Sequence, residues 1–268
     1  MKKYLQVIGF ITLALFSFYY TSKTSLVIKN TDEIMIKIKD AKESLKLEPI
    51  DALVEGNKIV PGIKGREVDI SKSYDAMKKL GTYSSNLIVY KDILPNVSIS
   101  KIYNKYINIG NPIKHQVTII FKVDENDDVN SLLEILDRNN IKANIFVSDS
   151  LDSNILKLAS SGHNVGIINN TWTHTLINRV SNQKNNYCYL EEENDEVLNI
   201  CSMNKYYTII PNIISNKTPT LVVKKELTNA SIISLDVNKT LLKELEYIIR
   251  FIKSKGMEIV TLDTLLEE

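Results

Sequence analysis

Side chains able to do chemistry are sparse in this chain. It holds three histidines, His115, His163 and His174, and the last closes the run 170–174 (NTWTH), which also carries the single tryptophan, Trp172. A catalytic divalent cation needs three protein ligands and one open position, so three scattered imidazoles do not make such a centre alone. Trp172 reads either as a ring that stacks on a sugar face or as a core filler at a domain edge. Lys122 stands between apolar residues and is either a cation facing a cleft or a strand-end lysine whose stem snorkels outward. Cys188 and Cys201 flank the acidic turn 191–196, and 187–190 and 197–201 read as two arms of a hairpin. Cross-strand pairing would join them in a disulfide worth about 3 kcal/mol in the chain-entropy model, the alternative being two buried thiols. The glutamates at 191–193 read as a solvated turn. Nothing resembles a nucleophile elbow, a G-x-G-x-x-G fingerprint or a phosphate loop.

The elements that must position these groups follow two textures. Over 26–110, short β-rich stretches such as 34–38 (IMIKI) and 87–90 (LIVY) alternate with turn signals at 55–57, 61–62, 64–65 and 95–96, and Ser71 can cap one helix ending near Gly81. This predicts a small α+β module, with 109–115 as the linker beyond it. From 117 the pattern becomes strand, then helix. The apolar run 117–123 (VTIIFKV) precedes Val129, Leu132, Leu133 and Leu136 at helical spacing, and 143–147 precedes Leu151, Ile155, Leu158 and Ala159, with Gly162 before the strand 165–168. Two successive β-α units predict parallel strands with right-handed crossovers. A strand over 231–235, a helix holding Leu242, Leu245, Ile249 and Ile252, and a strand over 258–261 complete the domain 116–268.

Composition narrows the function. Thirty-three Lys+Arg nearly cancel 32 Asp+Glu, and no basic stripe interleaves with aromatics, which argues against a nucleic-acid partner. At the N-terminus, Lys2 and Lys3 precede an uncharged run over 4–20. Such a run predicts a membrane helix with the rest of the chain outside, or a signal segment whose removal would secrete the protein; residues 1–24 form this unit.

The order of short signatures after 117 resembles the polysaccharide deacetylases of carbohydrate esterase family 4, the NodB-type domain. The stretches that carry the likeness are 120–124 (IFKVD), 140–146 (NIKANIF), 162–166 (GHNVG), 170–174 (NTWTH), 209–213 (IIPNI), 230–236 (ASIISLD) and 255–262 (KGMEIVTL). The resemblance covers about 150 residues and implies an α/β fold, a distorted (β/α) barrel, preceded here by the small α+β module and the N-terminal helix. It also implies metal-assisted removal of an acetyl group, in which an Asp and two His hold the cation, a second Asp takes a proton and a late His returns one. On this chain those roles fall on other residue types. The base Asp falls on Lys122, the metal-binding Asp on Val123, the first metal His on Asn170, the Arg that supports the base on Ile209 and the late His on Asp236; only His174 keeps its type. His163 falls where the family carries a structural histidine. A one-residue slip would bring Asp124 into play only through a bulge, because successive strand residues face opposite ways.

The expectation is therefore a membrane-anchored, extracytoplasmic deacetylase-like protein without catalysis. Its cleft, around Lys122, Asp124, Asn170, Trp172, His174 and Asp236, would bind cell-wall glycan or a protein partner and require no cofactor. One rival is an active carbohydrate deacetylase with zinc at an atypical site built from His174, Asp124 or Asp236. Another is a scaffold that presents the module 26–110.

Overall fold

A computed structural model describes residues 9–21, 31–124, 127–148, 162–168 and 186–268. The chain divides into two compact units, one of residues 1–49 and 64–93, the other of 50–63 and 94–268.

In the first unit, helix α1 (Glu33–Leu45) opens at Asp32, whose carboxylate accepts the Ile34 N–H at 2.9 Å and the Tyr74 hydroxyl at 2.8 Å. Residues 34–38 were expected to be strand. They are helical because Ile34, Met35 and Ile38 share one buried face with Val68, Tyr74 and Met77, a spacing that fits a 3.6-residue period better than alternation. Helix α2 (Ile70–Lys78) is capped by Asp69, two positions before the expected Ser71. A single antiparallel pair, strands 65–68 and 90–93, accompanies the two helices.

The second unit is built on one eleven-stranded sheet. With β3 and β4 denoting the first unit's pair, its strands are β1 (Leu53–Glu55), β2 (Lys58–Val60), β5 (Tyr106–Ile107), β6 (Gln116–Val123), β7 (Asn144–Ser148), β8 (Asn164–Ile168), β9 (Tyr187–Tyr189), β10 (Tyr207–Ile209), β11 (Ile213–Ser215), β12 (Ile232–Asp236) and β13 (Glu258–Val260). They lie in the order β1-β2-β5-β10-β9-β8-β7-β6-β12-β11, with β13 also on β6, and all pairs but β1-β2 are parallel. The path ends at β1 and β11 without closing, so the expected distorted barrel is an open half-barrel. The expected boundary at 110 differs from the observed division. Strands β1, β2 and β5 extend the large sheet, and the supposed linker is held in the body through Ile109 bridging Ser231, Gly110 N–H on Ala230 O and Asn111 Nδ2 on Pro61 O at 2.8 Å.

Strand β6 organises the unit because its two faces serve two cores. Val117, Ile119, Phe121 and Val123 pack on helices α3 (Val129–Arg138) and α6 (Lys239–Ser254), through Leu132, Leu136, Leu241, Leu245 and Ile249, and Val223 of helix α5 (Pro219–Glu226) joins the same core. Ile120 faces the interior with Phe146, Tyr189, Ile209 and Ile232, and alternation places Thr118 and Lys122 on that same side. Gly166 on β8 is required by close packing: a Cβ there would stand 2.5 Å from the Phe146 ring.

Cys188 and Cys201 are joined by a disulfide with a Cα separation of 6.4 Å. The expected hairpin around them is instead strand β9 followed by helix α4 (Asp195–Met203). Asn194 caps that helix by accepting the Val197 N–H at 3.1 Å, and Val197, Leu198 and Cys201 form its buried face.

The expected transmembrane helix over 4–20 is not supported. Among the described residues no helix is long and apolar enough to cross a membrane.

Candidate functional site

In parallel α/β sheets the positions available for chemistry lie at the C-terminal ends of the strands, where backbone turns into loops. Register puts Lys122 at the end of β6 directly beside Asp236 at the end of β12. The Lys122 ammonium lies 2.6 Å from Asp236 Oδ1 and 2.5 Å from Glu191 Oε1, so two carboxylates converge on one nitrogen. Its side chain is 16% exposed, against 34% for Asp236 and 47% for Glu191. Burial works against the ammonium's charge, yet its interactions with the Asp236 and Glu191 carboxylates outweigh it and hold the pKa above the ordinary lysine value.

Behind this ion pair, the Tyr189 hydroxyl shares a hydrogen bond with Ser234 Oγ at 2.8 Å. Burial pushes the Tyr189 phenol up to about 12, so it stays a neutral hydrogen-bonding group at physiological pH. At the mouth, Asp127 Oδ2 accepts the Asp124 N–H at 2.7 Å. Burial and the nearby negative charges of Asp124 and Asp236 raise the Asp127 pKa.

Of the expected site residues, Lys122 and Asp236 come together, and Lys122 faces the cleft with its charge paired. Asp124 is exposed beyond the strand end, and β6 runs in unbroken register with β7 and β12 through Val123 and Lys122, so no bulge turns it inward. Asn170, Trp172 and His174 lie outside the described residues. Glu191, Tyr189, Ser234 and Asp127 are members that sequence reasoning missed. Glu191 was assigned to a solvated turn, and only the proximity of the ends of β6 and β9 reveals its partner.

The residues present do not fit the divalent cation that the resemblance implies. Val123, at the position of the metal-binding Asp, is 6% exposed and packs in the helix-side core, and the position of the base carries an ammonium that would repel a cation. Ile209, at the position of the supporting Arg, is fully buried and apolar. Among the described residues no three His, Cys, Asp or Glu side chains converge as a metal would need.

An open half-barrel of mostly parallel strands with charged side chains at the strand ends defines the class: the fold is that of the family 4 carbohydrate esterases. The similar solved structures include wild-type BA3943 of Bacillus anthracis, described as a family 4 pseudoenzyme, which is 21% identical with a TM-score of 0.63 over 89% of this chain and 96% of that one. A BA3943 mutant described as having restored enzymatic activity matches over 88% of this chain and 99% of that one, with the same identity and score. PdaA of Bacillus subtilis, a family 4 carbohydrate esterase, matches at 14% identity and a TM-score of 0.50 over 82% of this chain and 97% of that one. At these identities the likeness is one of fold. No family model matches the chain. In sequence, the uncharacterized protein YlxY of Bacillus subtilis (strain 168) is 30% identical over 122 residues, which are 44% of this chain and 38% of that protein.

Proposed function

We propose that this chain is a degenerate family 4 carbohydrate esterase that has given up deacetylation and uses the cleft at its strand ends to bind cell-wall glycan or a surface protein. The observation that carries this reading is the Lys122–Asp236 ion pair. The two positions that the resemblance assigns to proton transfer hold groups of opposite charge that neutralise each other instead of acting on substrate. An ammonium held protonated has no lone pair with which to take a proton. Asp236 lies in ion-pair contact with that ammonium through Oδ1, so the carboxylate faces the lysine charge where the resemblance places a histidine. A position outside the cytoplasm belongs to the same reading and is supported by the disulfide, a bond that persists in oxidising compartments. Attachment to the membrane through the N-terminal helix, whose Phe10, Leu13, Phe16 and Phe18 are exposed, is its further part and is tested by fractionating cells.

The deciding experiment is acetate release by the purified protein from acetylated chito-oligosaccharides and peptidoglycan, with zinc, cobalt or EDTA added and His174→Ala as control. The expected outcome is no release under any condition, together with retention of the protein on insoluble peptidoglycan or on a surface protein. Metal-dependent release lost in the variant would overturn the reading.

A further inference from the structure

We propose that the outer layer formed by helices α3, α5 and α6 is a second contact surface of this protein, one that rests on the anionic headgroups of a phospholipid membrane. The inference uses none of the cleft side chains and is independent of whether the cleft binds glycan.

Three observations carry it. First, the layer is more basic than its own carboxylates can cancel. Helix α6 exposes Lys239, Lys243 and Arg250, and α5 packed beside it exposes Lys224 and Lys225. The acids of α6 are already engaged: Glu246 holds Arg138 of α3 at 3.1 Å and Arg250 at 3.4 Å, and Glu244 accepts the Thr220 N–H at 3.2 Å. Among the described residues, Lys224, Lys225, Lys239 and Lys243 have no carboxylate within ion-pair distance. Three helices assemble this charge, so no continuous stretch of sequence displays it as a stripe. Second, apolar side chains stand exposed among these lysines. Leu221 on α5 is 66% exposed and Tyr247 on α6 is 47% exposed, and the Lys224 ammonium lies 4.5 Å from the centre of the Tyr247 ring. A soluble polyanion would satisfy the lysines and leave Leu221 in water. A bilayer surface offers phosphate to the ammonium groups and an apolar boundary to the leucine, with the tyrosine at headgroup depth. Third, a groove of about 360 Å³ runs between α3 and α6, with Ile135 and Leu242 in its lining and Arg138, Lys239 and Lys243 against one acid, Glu134. Cations around an apolar lining suit a phosphate that carries an acyl chain.

The test is co-sedimentation of the full-length protein with vesicles of phosphatidylcholine alone and of phosphatidylcholine with phosphatidylglycerol. The wild type should bind the anionic vesicles more tightly, and added salt should erase the difference. A lysine near an anionic bilayer is worth about five-fold in binding, so Lys239→Gln/Lys243→Gln should weaken binding to the anionic vesicles about 25-fold. Binding to phosphatidylcholine alone, which includes any share from the N-terminal segment, should stay the same in that variant, as should retention on peptidoglycan. Lys239→Arg/Lys243→Arg should bind like the wild type, and Leu221→Ser/Tyr247→Ser should bind more weakly at every salt concentration. Should the glutamine pair not fold, Lys224→Gln and Lys225→Gln, each expected to cost about five-fold, give the same reading. Equal binding of the wild type to both kinds of vesicle, or unchanged binding of the folded glutamine variants, would overturn the proposal. Displacement from the vesicles by soluble polyphosphate, with no loss in Leu221→Ser/Tyr247→Ser, would identify a soluble polyanion as the partner and overturn it equally.

Discussion

At the N-terminal ends of β6, β7 and β8 the polar groups that join the strands are neutral and buried, whereas the C-terminal ends of β6 and β12 carry partly exposed charges. Asn144 at the start of β7 is fully buried and uses its whole amide. Its nitrogen donates to Thr118 Oγ1 at 2.7 Å and to Ile119 O at 2.9 Å, and its oxygen accepts from the Leu262 N–H at 2.8 Å and from Asn164 Nδ2 at 3.3 Å. Thr118 Oγ1 in turn donates to Val260 O at 2.7 Å, and Asn164 Nδ2 and the Tyr187 hydroxyl both donate to Asp263. This network ties β13 and the closing helix α7 (Leu262–Leu266) to the start of the sheet. Asn144 itself is not free to act on a ligand, because all four of its partners are internal. The opposite end pairs Lys122 with carboxylates that are a third to a half exposed, and the charges there meet solvent. The contrast teaches that one end of this sheet spends its polar groups on holding the fold together, while the other leaves charged side chains in contact with solvent.

The comparison can be broken most forcefully at the neutral end. Asn144→Leu removes four hydrogen bonds and strands the buried Leu262 N–H, so urea unfolding should show a loss of about 4 kcal/mol. A loss below about 1 kcal/mol would mean that the network is not what closes the sheet. Next in size, Cys188→Ala/Cys201→Ala opens a loop whose ends are 13 residues apart, which should cost about 3 kcal/mol in the same assay. At the charged end the effect should be smaller. Asp236→Asn leaves Lys122 with Glu191 alone, and the partial exposure of the pair limits the loss to about 1 kcal/mol. The same variant should change glycan or partner retention more than any substitution around Asn144 that remains folded.

The smallest effect concerns pH. His163 is buried at the neutral end, where its Nδ1 accepts the Ala143 N–H at 3.2 Å, and its Nε2 has no hydrogen-bond partner among the described residues. Burial, and then the Lys142 charge, lower its pKa below 6.5. The unfolded chain therefore takes up this proton before the folded one does. The stability contribution is present above about pH 6.5 and is lost as pH falls through the lowered folded value. The unfolding midpoint should drop on acidification below that point, and His163→Gln should flatten the slope there.

Much of the large sheet was legible because its elements obey local periods. The runs that became β6, α3, β7, β8, β12, α6 and β13 alternate or recur at helical spacing strongly enough to be placed within about two residues. The misreadings fell where two periods compete. Residues 34–38 (IMIKI) are rich in β-branched isoleucine like a strand, but burial selects positions 34, 35 and 38. Residues 195–203 carry a helix start at Asn194, acidic residues in the first turn and apolar positions at 197, 198 and 201, signals that were available and were outweighed by the assumption that two cysteines imply facing strands.

The sequence by itself determined the alternation of strands and helices, the order of the signatures, and the loss of residue types able to hold a metal at positions 122 and 123, because these are properties of local spacing and side-chain chemistry. Only the tertiary structure decided that Lys122 is paired. Its partners lie 69 and 114 positions away along the chain, and no local pattern reports which strand ends will meet. Parallel pairing of β6 with β12 and the arrival of β9 through β7 and β8 bring Glu191 and Asp236 to one ammonium, and that convergence gives the cleft its character.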